Sequence, residues 1–156
     1  MESKKSENGE GSEEGRLPVL PCACANLRRA ARAVTQLYDR ELRGTGLGVT
    51  QFTLLQALAR VGELSQGRLG SGLSIDSTTL TRTLANLRKA GWINIRTGAD
   101  RRVRLVSVTA SGRRQLERSS PSWERAQERL RRMLGDPHWG ELGELTQKVV
   151  RSARKA

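Results

Sequence analysis

Apolar positions first fall into order at Leu27, Ala31, Val34, Tyr38 and Leu42, three or four residues apart, with Arg28, Arg29, Arg32 and Arg40 largely between them. That period predicts an amphipathic helix over roughly residues 23–43. Gly44, Gly46 and Gly48 interrupt it, and Thr50 is the expected cap of a second helix carrying Phe52, Leu54, Leu55, Leu58 and Val61, closed by Gly62. A short third helix is expected from Ser65, with Leu69 and Leu73. Its glycines, Gly67, Gly70 and Gly72, each cost about 1 kcal/mol relative to alanine, so neighbouring elements must hold it. Asp76 is a good N-cap for a fourth helix, Ser77 to Ala90. Leu80, Leu84 and Leu87 form its apolar face, and Ser77, Thr78, Thr81, Arg82 and Arg88 the polar one. Gly91 suits the left-handed position beyond its end, where Arg88 and Lys89 complement the helix dipole.

From Trp92 the period changes to two. Trp92 to Arg96 predicts one strand, Thr97-Gly98-Ala99-Asp100 a turn, and Arg101 to Val108 the return strand, a β-hairpin with Arg96, Arg101, Arg102 and Arg104 concentrated near its tip. A long helical tract follows from Thr109, with Leu116, Trp123, Ala126, Leu130 and Met133 on its apolar side and a kink expected at Pro121. Asp136-Pro137 opens a last helix with Trp139, Leu142, Leu145, Val149 and Val150 on one face. The predicted architecture is α+β, mostly α.

Charge adds the first functional direction. The 156 residues contain 28 Lys and Arg against 16 Asp and Glu, a net charge of +12, which favours a polyanionic partner. Five of the acids lie within residues 1–15, so the remainder is more basic than the whole. Residues 1–16 hold no aromatic or β-branched residue, and residues 1–20 are expected to form a disordered acidic tail. No apolar run is long enough for a membrane span, and no export signal is evident, so a cytoplasmic protein without a membrane partner is expected. Cys22 and Cys24, the only cysteines, are too close together for an easy disulfide staple and are expected as free thiols.

Two short helices joined tightly, the second capped and polar outside, followed at once by an arginine-tipped hairpin, form the winged helix-turn-helix pattern. The capped helix would enter the major groove N-terminus first, where hydroxyls and an arginine meet base edges. The hairpin arginines would follow the phosphates or enter the minor groove. From about Leu27 to Val150 the chain resembles the MarR family of regulators. The resemblance rests on Leu47-Gly48-Val49-Thr50-Gln51-Phe52, Leu73 through Arg82, Leu87 with Gly91, Asp100-Arg101-Arg102, and Val108-Thr109-Ala110-Ser111-Gly112. It implies a winged helix-turn-helix region over 44–109, flanked by dimerisation helices at 21–43 and 110–156 that interdigitate with those of a second copy. It also implies Asp100 and Arg102 as the brace of the wing and Arg101 as its nearer DNA reader. The expected base readers are Ser77, Thr78, Thr81 and Arg82, with Arg88, Arg101 and Arg104 nearer to phosphate. The apolar faces of 27–42, 116–134 and 139–150 exceed what one small module needs, and Trp123 and Trp139 suit a dimer seam.

The family commonly responds to a small aromatic ligand or to oxidation of a cysteine near the start of the first helix. Cys24 lies fourteen residues before Tyr38, where the hydroperoxide-sensing branch carries its reactive thiol, and Arg28 and Arg29 follow one turn later. Cys22 and Cys24 could alternatively take a soft metal ion with a thiol from the partner chain. Ligand, oxidant and metal all stay open as effectors, and no cofactor is required. His138, the single histidine, has no companion for a metal site, and Gly67 to Gly72 follows no strand as a phosphate loop would. No nucleophile lies in a recognisable motif, so no catalytic residues and no enzyme are expected. The expected function is a sequence-specific, homodimeric repressor on double-stranded DNA; the competing class is a non-specific architectural or interaction protein.

Overall fold

Pro21 and Cys22 precede helix α1 (Ala23–Leu42), in a computed structural model that describes residues 21–154. The expected tail at 1–20 lies outside the described residues. Two compact units divide the chain, residues 1–33 and 34–156. In the first, the described residues form the opening turns of α1, with Cys22, Cys24 and Leu27 exposed.

In the second unit, helix α2 (Val49–Val61) starts one residue before Thr50, so that threonine is not its cap. Asp39 supplies the acceptor instead. Its Oδ1 takes the Val49 N–H at 2.7 Å, while Gln51 Oε1 takes the Gly48 N–H at 2.9 Å. A carboxylate is the stronger acceptor for an unpaired amide at a helix start, which explains why Thr50 is displaced into the helix.

Strand β1 (Leu64–Ser65) was not legible in the periodicity, because two residues cannot show one. Ser65 also caps helix α3 (Gln66–Leu73), its Oγ accepting the Arg68 N–H at 3.2 Å. Helix α4 (Ser77–Lys89) is capped by Asp76, whose Oδ1 accepts the Thr79 N–H at 2.8 Å, and it ends at Gly91 with φ +74°. Strands β2 (Ile93–Thr97) and β3 (Arg104–Val108) pair from Ile93↔Val108 to Thr97↔Arg104, and the three strands form an antiparallel sheet in the order β1-β3-β2.

The return strand begins at Arg104, not Arg101. Asp100 holds the chain in a turn for longer: its Oδ1 accepts the Arg102 N–H at 2.9 Å and its carbonyl accepts the Val103 N–H at 2.9 Å. Arg101 and Arg102 therefore belong to the tip.

Helix α5 (Ala110–Leu134) is one continuous helix that carries Pro121 inside it. Proline removes the bond to the Glu117 carbonyl, but both residues are exposed and water can satisfy that carbonyl. The flanking turns are pinned by Ser119, Ser122, Ala126 and Leu130, all buried. Helix α6 (Asp136–Ala153) closes the fold.

Phe52, Leu54, Leu55 and Leu58 of α2 pack with Leu80, Leu84 and Leu87 of α4 and with Ile93 and Val106 of the sheet. Trp123 stacks on Phe52, ring centroids 5.6 Å apart and planes 15° from parallel. Its ring, partly buried, thus packs against the core of its own chain. A second cluster joins Tyr38, Ala126 and Leu130, with Trp139 packed against it. Burial raises the Tyr38 hydroxyl above its ordinary pKa, and that hydroxyl donates to Gln127 Oε1. Buried Gln115 donates to the Thr45 carbonyl, tying α5 to the loop between α1 and α2.

Candidate nucleic-acid interface

The capped start of α4 sets its orientation. Leu80, Thr83, Leu84 and Leu87 are buried, which turns Ser77, Thr78, Thr81, Arg82 and Arg88 outward, all of them exposed. Thr83 shows the alternative fate of a helix hydroxyl: it donates to the Thr79 carbonyl at 2.8 Å. The Thr79 amide holds the Asp76 carboxyl below the usual aspartate range, so the cap is ionised near neutral pH.

An open hollow of about 610 Å³ lies between α4 and the sheet, with Thr81, Arg88, Lys89 and Arg104 on its polar rim and Leu84 and Ile95 on its floor. A second hollow, of about 550 Å³, is bordered by Ser77, Arg102 and Arg104. Gln66 borders both. The structure therefore brings Arg88 and Arg104 together beside Thr81, and Arg102 near Ser77. Arg101 stands exposed at the tip, outside both hollows.

The contact between Asp100 and Arg102 runs through the main chain, carboxylate to amide, and among the described residues the Arg102 guanidinium has no ion pair. Arg96 is withdrawn from the cationic set. Its guanidinium grips Glu63 with two parallel bonds, Nε to Oε2 at 2.8 Å, and holds that carboxyl below the usual range. Periodicity could not reveal this pairing, nor the bonds from Gln66 to Thr81 and from Arg154 to Ser71 and Ser74 at the turn between α3 and α4. Each joins residues distant in sequence.

Cys22 and Cys24 are exposed free thiols. Among the described residues no group of three or more His, Cys, Asp and Glu is placed to hold a metal ion. His138 lies on the first turn of α6, exposed, with Nδ1 3.1 Å from Glu141 Oε2. No helix of the described residues is long and apolar enough to cross a membrane.

Residues 45–103 match the family model described as MarR family. Two HTH-type transcriptional regulators of Bacillus subtilis are related in sequence. YwoH is 30% identical over 91 residues, 58% of this chain and 66% of its own length; YdgJ is 35% identical over 82 residues, 52% of this chain and 50% of its own length. The match thus spans between half and two thirds of these relatives. The Mycobacterium tuberculosis transcriptional regulator MosR, solved in complex with DNA, is 34% identical with a TM-score of 0.77, covering 86% of this chain and 97% of MosR.

The chain belongs to the MarR family.

Its α+β, mostly helical winged helix-turn-helix architecture is that of MarR-family transcriptional regulators: α3 and α4 form the helix-turn-helix, β2 and β3 the wing, and α1, α5 and α6 the flanking helices. The matched segment, 45–103, runs from the loop before α2 to the tip of the wing. It contains the outward residues of α4 together with Asp100, Arg101 and Arg102. Arg104 and the flanking helices lie beyond it.

Proposed function

We propose that this MarR-family chain is a sequence-specific repressor that binds duplex DNA as a homodimer on a near-palindromic operator. The observation that carries the proposal is the outward face of α4: Ser77, Thr78, Thr81 and Arg82 stand exposed beside a cationic rim of Arg88, Lys89 and Arg104. The likeness to DNA-bound MosR over nearly all of that protein's length supports it. In this account α4 enters the major groove, with Ser77, Thr78, Thr81 and Arg82 meeting base edges. Arg88, Arg101 and Arg104 neutralise phosphates, and Asp100 with Arg102 keeps the tip in shape. Residues 44–109 form the DNA-binding region, and 21–43 and 110–156 the dimerisation helices.

Repression follows from occupancy of a promoter. Release follows when an effector favours a spacing of the two recognition helices that no longer fits successive half-sites. The exposed thiols Cys22 and Cys24 are the residues assigned to an oxidant or soft-metal effector. A DNA complex disrupted by a mild hydroperoxide and restored by a thiol, with both responses lost in Cys22→Ser/Cys24→Ser, is the expected result. An oxidant-indifferent complex would remove the thiols from the mechanism.

Two substitutions separate reading from neutralising. Arg82→Ala should cost about 1–3 kcal/mol on the operator and relax base preference. Arg101→Ala should weaken binding to all sequences and lower the salt slope of log affinity by about 1. Titrations on operator and random duplexes at several salt concentrations check both. Equal losses on the two duplexes for Arg82→Ala would refute base reading, and an unchanged slope for Arg101→Ala would remove the wing from the phosphates.

A further inference from the structure

We propose that Gln66, at the start of α3, is a specificity-determining positioning residue that sets the hydrogen-bonding polarity of Thr81 on the recognition helix. Its side-chain Nε2 donates to Thr81 Oγ1 at 3.2 Å, across a sequence separation of 15 residues. This deepens the function proposed above and rests on Thr81 reading a base.

The backbone carrying Gln66 is fixed on its N-terminal side. Ser65 pairs with Leu105 in the sheet and caps α3 through the Arg68 amide. Gln66 is half-buried between the two hollows that flank the outward face of α4. Its amide therefore reaches Thr81 from a rigid platform.

Threonine hydroxyls inside helices usually spend their proton on the carbonyl one turn back, as Thr53 does on Val49 and Thr83 on Thr79. Among the described residues Thr81 makes no such bond; its oxygen accepts from Gln66. A hydroxyl has one proton and two lone pairs. With one lone pair engaged by the amide, the proton is free to point outward to an acceptor. In the major groove the acceptors are purine N7, guanine O6 and thymine O4, whereas the cytosine and adenine amino groups are donors.

Exchanging the amide for a carboxylate inverts this arrangement. In Gln66→Glu the carboxylate accepts the Thr81 proton, leaving the hydroxyl only lone pairs to offer. The preferred base edge at the position facing Thr81 should move from acceptor to donor. The added negative charge lowers affinity for every sequence alike, so relative preference is the informative quantity.

Selection from a randomised duplex library followed by sequencing, with the full chain as wild type, Gln66→Ala, Gln66→Glu, Thr81→Ala and the Gln66→Ala/Thr81→Ala double variant, tests this directly. Gln66→Ala is expected to blunt preference roughly 3- to 10-fold at the position that Thr81→Ala blunts, the range of one net hydrogen bond. The double variant should be no worse than Thr81→Ala alone, and Gln66→Glu should favour cytosine there, the base that offers only a donor in the major groove. Wild-type preference in Gln66→Ala, with preference lost in Thr81→Ala, overturns the positioning role and leaves base reading intact. Unchanged preference in Thr81→Ala overturns base reading and this proposal with it. A further loss on adding Gln66→Ala to Thr81→Ala means that Gln66 reads DNA itself and also overturns it.

Discussion

Replacing Gly112 by alanine should lower the unfolding free energy by at least about 3 kcal/mol, at or beyond the upper end for overpacking substitutions. A Cβ at this position would lie 2.1 Å from the Trp92 carbonyl oxygen and 2.9 Å from both its carbon and Val108 Cγ2. Two of those atoms are main chain, so no rotamer change relieves the clash. The Trp92 carbonyl is also held, accepting the Thr109 N–H at 3.0 Å, while Thr109 Oγ1 donates to the Gly91 carbonyl and accepts the Gly112 N–H. The junction between α4, the wing and α5 is thus a single packed knot with room only for hydrogen at Gly112. The control is Gly72→Ala in α3, where an added Cβ meets nothing within 4 Å. That change should be neutral or stabilise by up to about 1 kcal/mol. Urea unfolding of the two variants should give opposite signs. A Gly112→Ala protein within about 0.5 kcal/mol of wild type would contradict the packing described here.

Introducing charge on α6 should convert the protein to monomers and weaken operator binding by about two to four orders of magnitude, the gain that linked half-site binding supplies. Helix α6 buries no residue within its own chain, and Leu145 is 61% exposed, with Val149 and Val150 at 36% and 42%. Leu142, Leu145 and Val149 share one face. Helices in proteins draw most of their stability from packing an amphipathic face, so this exposed face calls for a partner, and a second copy supplies the same apolar surface. Leu145→Glu/Val149→Glu places two carboxylates in the proposed seam. Sedimentation should show a dimer for wild type and a monomer for the variant, with binding to a single half-site retained. A variant that remains dimeric would exclude this face from the interface.

The helices were legible because each carries a period and a signposted end. Asp76 and Gly91 bracket α4, Thr109 opens α5 and Asp136-Pro137 opens α6, all local signals that tertiary packing leaves in place. The outward face of α4 was legible for the same reason: once Leu80, Leu84 and Leu87 point inward, Thr78, Thr81 and Arg82 have no other direction. What periodicity missed is long-range. Asp39 displaces Thr50 as the cap of α2 from ten residues away, Glu63 takes Arg96 out of the cationic set, and Trp123 is drawn onto Phe52. Pro121 is accommodated inside α5 because buried contacts on both sides outweigh one lost bond to an exposed carbonyl. The bond from Gln66 to Thr81 left no trace in the sequence, since a glutamine at the start of a helix is equally at home in solvent.

The most direct test of the central claim, that this chain recognises a DNA sequence through α4 and the wing, is competition between duplexes. The purified protein is titrated onto the DNA upstream of its own coding sequence in the presence of excess random duplex. Specific affinity about a thousand-fold or more above that for random DNA is the predicted result, with the difference reduced in Arg82→Ala. Equal affinity for both duplexes would contradict the account and identify instead a protein that coats DNA through charge alone.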